Sequence, residues 1–208
     1  MPATKLRRSA RVRQPPEPTP LAPPLSDAVL SERLAQGDRW AREAVFRKYV
    51  AAVWGLALRL MGNRADAEDV VQDTFAEVLH DARQARERRV LRGWLIGVAV
   101  QHARRRLEHR RMLRLLGFER GDRTHRLNEQ LAHSLDGALA SDLYKLGELL
   151  DRMTPRRRIA WCLRYMEGCS IDEVASYCAC SLATATRELN KAHTIVRAQL
   201  DIAEPVDA

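Results

Sequence analysis

The stretch Ser170-Ile171-Asp172-Glu173-Val174-Ala175-Ser176-Tyr177-Cys178-Ala179-Cys180-Ser181-Leu182-Ala183-Thr184-Ala185-Thr186-Arg187-Glu188-Leu189 decides the fold. It opens on Ser-x-x-Glu, the capping box in which the serine oxygen takes a backbone donor three residues on and the glutamate reaches back. Ile171, Val174, Ala175 and Cys178 then recur at helical spacing over about two turns. After a brief turn Ser181 can cap a second helix, on which Leu182, Ala185, Leu189 and Ala192 form the apolar stripe. Two short helices, a tight turn and a supporting helix upstream make a helix-turn-helix, whose second helix is built to lie in a DNA major groove.

Upstream, Thr154-Pro155 predicts an N-cap followed by proline at the first helical position, opening a helix with Ile159, Cys162, Leu163 and Met166 inward. Leu143, Leu146, Leu149, Leu150 and Met153 predict another helix before it. Residues 115–140 carry Gly117, Gly121 and Gly137 with weak periodicity and read as an interdomain linker. The helix-turn-helix unit is accordingly placed at 141–204.

A second helical unit is expected at 26–114. Phe46, Tyr49, Val50, Val53, Trp54, Ala57, Leu60 and Met61 mark the apolar face of a long helix that stops at Gly62-Asn63. The next helix buries Ala67, Val70, Val71, Thr74, Phe75, Val78 and Leu79, while Asp66, Asp69, Asp73 and Glu77 form a separate acidic row. Residues 81–92 show no apolar period and read as a loop. Leu91, Trp94, Leu95, Val98, Ala99 and His102 then open a third helix with an arginine-rich exit. Charge is segregated: residues 64–81 hold one arginine against six carboxylates, and residues 83–114 hold eleven arginines against two glutamates. The expected result is one unit with two opposite faces.

Composition agrees with an all-α chain of two small helical domains. Of 208 residues 46% are hydrophobic and only 5% aromatic, and no run with period two appears. Residues 1–25 combine seven of the nine prolines with Lys5, Arg7, Arg8, Arg11 and Arg13, which predicts a disordered basic arm. No apolar stretch reaches the ~18 residues of a membrane span, and the basic start runs into proline rather than into a signal-peptide core. A cytoplasmic protein with no membrane contact of its own is expected. The formal charge of +8 is basic but not extreme, and the arm reads as a solubilising tail, with tethering to polyanions as the rival. The histidines form no close pair at helical spacing, and neither a phosphate-cradling loop nor a recognisable nucleophile is present, so no enzyme and no cofactor are expected.

Together, Gly62-Asn63-Arg64-Ala65-Asp66-Ala67-Glu68-Asp69-Val70-Val71-Gln72-Asp73-Thr74-Phe75, then Arg92-Gly93-Trp94-Leu95, then Met153-Thr154-Pro155-Arg156, and finally Arg164-Tyr165-Met166-Glu167-Gly168-Cys169-Ser170-Ile171-Asp172-Glu173-Val174-Ala175 carry a resemblance. Over residues 38–198 and in the correct order, the chain resembles the extracytoplasmic-function (ECF) sigma factors of bacterial RNA polymerase. The resemblance implies a first domain that binds the core enzyme and melts the promoter −10 element, and a second that reads the −35 element. It implies RNA polymerase core (the β′ clamp helices, and also β), promoter DNA and an anti-sigma factor as partners.

The resemblance assigns core binding to Asp66, Asp69, Gln72, Asp73 and Glu77, whose acidic row faces a basic partner. It assigns the −10 element to the loop and helix holding Arg88, Arg89, Arg92, Gln101, Arg104, Arg105 and Arg106, where guanidinium groups supply the phosphate contacts. It assigns the −35 element to Arg156, Arg157, Ser181, Thr184, Thr186, Arg187, Asn190 and Lys191, with Arg158 as further support at the groove edge. Three departures stand out. The −10 loop has no aromatic residue between Phe75 and Trp94, and Trp94 is expected in the core. The family's polar Asn and Asp fall on Gln101 and Arg105. The turn glycine is replaced by Ala179, where a positive φ would cost about 1 kcal/mol, so a differently shaped turn is expected.

Cys162, Cys169, Cys178 and Cys180 offer four thiols, yet three of them match apolar core positions of the family and the spacing is poor for zinc. Small-hydrophobe packing is the expected role, with metal or redox sensing as the rival. Two other functional classes fit parts of the pattern. A stand-alone helix-turn-helix regulator accounts for the second unit but not for the acidic row, and a degenerate sigma-like interaction module accounts for the poorly charged recognition helix.

Overall fold

The computed structural model describes residues 26–87, 91–118 and 137–200, and among these every regular element is helical. The basic proline-rich arm, Arg88, Arg89 and most of the expected linker lie outside the described residues. Among the described residues eight α-helices follow in order: α1 (Asp27–Ala35), α2 (Arg39–Met61), α3 (Arg64–His80), α4 (Leu91–Leu115), α5 (Gly137–Arg152), α6 (Pro155–Trp161), α7 (Ile171–Tyr177) and α8 (Leu182–Leu200).

The first domain is a bundle of α2, α3 and α4 closed at one end by α1. Its core runs through Val45, Val53, Leu56, Leu60 and Met61 of α2, Val70 and Phe75 of α3, and Leu95, Val98 and Leu107 of α4. The α2–α3 corner is specified locally. Gly62 takes a left-handed φ of +71° and its N–H closes on the Leu58 carbonyl, a conformation glycine adopts without steric cost. Asn63 then caps α3: its Oδ1 accepts the Asp66 N–H at 2.9 Å while its Nδ2 donates to Asp66 Oδ2 at 2.8 Å.

Three sequence expectations change here. Phe46 is 43% exposed, meeting Phe75 edge to face, whereas Val45 and Leu56 are fully buried, so the stripe of α2 is rotated from the expected one. Residues 82–87 form a 3-10 helix rather than a loop, because Ala82 and Ala85 are buried against α1. Helix α1 was not anticipated; Leu30 and Leu34 are its only long apolar contributions to the core, too few for a periodic signal.

The second domain packs α5, α6 and α7 around α8. Thr154 caps α6, with Pro155 at its first position. Its last turn, Cys162–Met166, widens to a π-turn in which the Glu167 N–H reaches back to the Cys162 carbonyl. The capping box at α7 is complete: Glu173 N–H donates to Ser170 Oγ at 3.2 Å and Ser170 N–H donates to Glu173 Oε2 at 2.8 Å. The α7–α8 turn places Ala179 at φ +49°, so the left-handed conformation is kept without glycine, contrary to the reshaped turn expected. Helix α5 begins at Gly137, four residues inside the expected linker.

Candidate functional site

Helices α3 and α4 run antiparallel, and polar side chains at steps of three and four on both meet along their seam. Arg110 Nη2 lies 2.5 Å from Asp66 Oδ2. Arg106 bridges Asp69 at 3.1 Å and Asp73 at 2.5 Å. His102 Nε2 lies 2.9 Å from Glu77 Oε2, and its Nδ1 is 3.9 Å from Asp73. The two opposite faces expected from segment charge are therefore one ionic seam, with the cations of α4 folded onto the anions of α3.

The seam divides the acidic row. The Asp66 side chain is 20% exposed, accepts from Asn63 Nδ2 and holds Arg110, which also donates to the Met61 carbonyl at the end of α2. It is a fastener of the α2–α3–α4 corner. Asp69 and Asp73 keep about half of their side-chain surface, at 52% and 45%. Glu77 is half-buried and Gln72 is exposed. These four can reach a partner, the carboxylates by exchanging one cation for another. The sequence reading missed Arg110 and His102; the available signal was the complementary spacing of charges on both helices.

Of the expected −10 residues, Arg88 and Arg89 lie outside the described residues and Arg106 belongs to the seam. Gln101 and Arg105 stand one turn apart on an exposed face of α4, and Arg105 has no ion-pair partner among the described residues. Arg104 is paired to Glu108 at 2.8 Å, and that hydrogen bond raises its guanidinium pKa. Arg92 is exposed at the start of α4. Trp94 is half-buried and packs against the core, as expected.

In the second domain Ser181 is a cap. Its Oγ accepts the Thr184 N–H at 3.3 Å and lies 2.9 Å from the Thr184 hydroxyl. Thr186 Oγ1 donates to the Leu182 carbonyl, which leaves its oxygen an acceptor only. Arg187, Asn190 and Lys191 are exposed along α8. The arginine triplet of α6 splits three ways. Arg156 is exposed, Arg157 Nε donates to Glu188 Oε2 at 3.1 Å, and Arg158 is 3% exposed and paired with Asp151. Arg158 is thus removed from the expected phosphate grip. Arg157 instead cancels the one carboxylate of the recognition helix.

The two domains touch. A Cβ at Gly93 would stand 3.6 Å from the Tyr177 hydroxyl and one at Gly97 would stand 3.8 Å from the Tyr177 ring, so the small face of α4 receives α7. Arg59 pairs with Glu167, and Arg114 donates to the Asp151 carbonyl at 2.9 Å. The thiols lie within the second domain: Cys162, Cys169 and Cys178 are buried and Cys180 half-buried. Burial pushes the Cys162 thiol up to about 11 and Cys178 up to about 12, which opposes the thiolate form a metal needs. Among the described residues no group of three or more His, Cys, Asp or Glu side chains is placed to hold a metal ion, and no helix is long and apolar enough to cross a membrane.

Two family models match this architecture in order, Sigma-70 region 2 over residues 45–112 and Sigma-70 region 4 over residues 143–192. They span the α2–α4 bundle and the helix-turn-helix. The ECF RNA polymerase sigma-E factor of Haemophilus influenzae is 26% identical over 85% of this chain and 96% of its own. The chain belongs to the ECF sigma factors. It is an alternative sigma factor that directs transcription initiation by RNA polymerase, and factors of this family are not enzymes. Two solved structures share the fold of this ECF sigma factor. CnrH in complex with the cytosolic domain of CnrY superposes with a TM-score of 0.59 at 22% identity, covering 84% of this chain and 97% of that one. The sigma factor RpoE in complex with the anti-sigma factor NepR from Bartonella quintana gives 0.52 at 20% identity, covering 76% and 96%.

Proposed function

We propose that the first unit, 26–114, grips RNA polymerase through Asp69, Gln72, Asp73 and Glu77 of α3 while α4 holds the separated −10 strands. The second unit, 141–204 with α5 extending back to Gly137, reads the −35 element through α8. The seam is the observation that carries this reading: exposed carboxylates and exposed guanidinium groups lie side by side on one helix pair, so a single surface meets a cationic protein and a polyanionic strand. Complementary charge of this kind sets encounter and register more than affinity.

Opening DNA needs no bond making, only a surface that binds unpaired bases and phosphates more tightly than duplex. Gln101 supplies a hydrogen-bonding amide, Arg105 a free planar cation, and Arg92 a cation at the helix start. On α8, Arg187, Asn190 and Lys191 face the groove with Thr184 and Thr186 as acceptors, and Arg156 flanks them. Asp66 and Ser181 act by fixing the elements that carry these groups. The factor works in the cytoplasm without a catalytic residue or cofactor. An anti-sigma protein is its inhibitor, occupying the polymerase and DNA surfaces, a reading supported by the anti-sigma complex of the Bartonella fold relative.

Run-off transcription with purified core polymerase tests the reading. Specific initiation in the presence of this chain is the expected result. Operator binding without core would assign a stand-alone regulator, and neither activity would assign an interaction module.

A further inference from the structure

Asp27 is the first residue of α1, far in sequence from both charged surfaces described above, yet three donors from two other helices converge on its carboxylate. Oδ1 accepts from Lys48 Nζ at 2.7 Å and from the Tyr49 hydroxyl, both on α2. Oδ2 accepts the backbone N–H of Leu91, the first residue of α4, at 3.1 Å. Burial by itself raises the pKa of this carboxyl. The hydrogen bonds from Lys48, Tyr49 and Leu91 and the Lys48 charge outweigh it and hold the group below its ordinary value. The carboxylate is therefore ionised at neutral pH, and Tyr49, 6% exposed, stays a protonated donor.

Helix α4 needs such a group from outside. A helix start leaves unpaired N–H donors and a partial positive charge, usually met by a short polar side chain just before it. The residues preceding Leu91 in sequence are Arg88, Arg89 and Val90, none of which is of the short polar type that favours a cap position. Arg92 follows at once, close enough for its charge to act on the Tyr49 hydroxyl.

We propose that Asp27 is a positioning residue for promoter opening: by tying the first N–H of α4 to α2 it fixes the height and direction of the helix that carries Arg92, Gln101 and Arg105. The inference rests on the reading of α4 as the −10 surface. It explains why a nine-residue helix is added ahead of the bundle, since α1 closes the bundle end and delivers this carboxylate to it.

The test compares the wild-type chain with Asp27→Ala and Asp27→Asn, each bound to core polymerase, on a duplex promoter and on the same template already mismatched over the −10 element. Permanganate reactivity of unpaired thymines reads opening, and core affinity and thermal unfolding are measured alongside. Asp27→Ala should open duplex roughly tenfold less, the change expected for losing one charge-assisted hydrogen bond. On the mismatched template and in core affinity it should stay within about twofold of wild type. Asp27→Asn keeps an acceptor for the Leu91 N–H and should fall between. Duplex opening equal to wild type overturns the inference. So does an equal loss on both templates, which is what general unfolding of the domain produces. A wild-type chain that opens no promoter overturns the reading of α4 itself, a result visible before any variant is tested.

Discussion

Replacing Arg106 with Gln should make the free protein bind core polymerase more tightly, although it removes a cation from a basic helix. Arg106 holds Asp69 and Asp73 at 3.1 and 2.5 Å, and these two carboxylates are the most exposed members of the acidic row. Before they can engage cations of the core they must give up this guanidinium. Ion pairs of such exposure contribute about 0.2–1 kcal/mol each, so two of them oppose the exchange by about 1 kcal/mol. At ~1.4 kcal/mol per tenfold, core affinity should rise about fivefold in Arg106→Gln at roughly 0.1 M salt and converge with wild type as screening increases. Arg105→Gln, one residue away and outside the seam, should leave core affinity unchanged. Fluorescence anisotropy of end-labelled protein titrated with core measures both. Core binding by Arg106→Gln that is equal to or weaker than wild type at low salt refutes the claim that the acidic row binds the core in competition with α4.

Arg110→Ala leaves Asp66 half-buried without its cation and the Met61 carbonyl with only the long hydrogen bond from Asn63 Nδ2, and should lower stability by about 2–3 kcal/mol in denaturant unfolding of the first domain. Asp69→Ala, at the most exposed carboxylate of the seam, should cost less than about 1 kcal/mol in the same assay. Ala179→Gly relieves the left-handed φ of +49° and should stabilise the helix-turn-helix by about 0.5–1 kcal/mol, read as a higher Tm of its transition. The buried thiols set an alkaline limit. Because the folded pKa values of Cys162 and Cys178 are raised from 9.0 to about 11 and about 12, their contribution is complete below pH 9 and declines as pH rises towards those values. Cys178→Ala should flatten the loss of stability between pH 9 and about 12 relative to wild type, and an unchanged slope would reject the buried-thiol account.

The helices were legible where the signal is local. The capping box at Ser170 and Glu173, the Thr154-Pro155 start and the Gly62-Asn63 corner each write a boundary into three or four adjacent residues, and the structure places the boundaries there. What could not be read locally is what depends on contacts across the fold. Arg106 and Asp73 are 33 residues apart, and no period along either helix reports which side of α3 faces α4. Segment charge treated every ionised group as available, when the seam had already matched Arg106 and Arg110 to carboxylates. The Arg156–Arg157–Arg158 triplet failed in the same way: one helical step of about 100° separates each neighbour, so a single triplet supplies an exposed cation, an intramolecular partner and a core residue. Asp27 was invisible for the same reason, since its partners at Lys48, Tyr49 and Leu91 lie on two other helices.

The weak charge of α8 fits the proposed division of labour between the two domains. With Glu188 neutralised by Arg157, the first half of the helix offers Arg187 and Lys191, and Arg156 is exposed on α6. Three cations give only a modest counterion-release term, too small for a domain that had to find duplex unaided. Under the proposed function, with α3 on the polymerase and α4 on the −10 strand, α8 meets its own site as part of an assembly already held at the promoter, and those prior contacts raise its effective concentration. Under that condition a few direct contacts decide which promoter is chosen, while a strongly basic α8 would hold unrelated duplex and blunt the choice. The contact of Tyr177 with the Gly93 and Gly97 face of α4 belongs to the same logic. It packs α7 against α4, so the helix-turn-helix is docked on the helix proposed to hold the −10 strand.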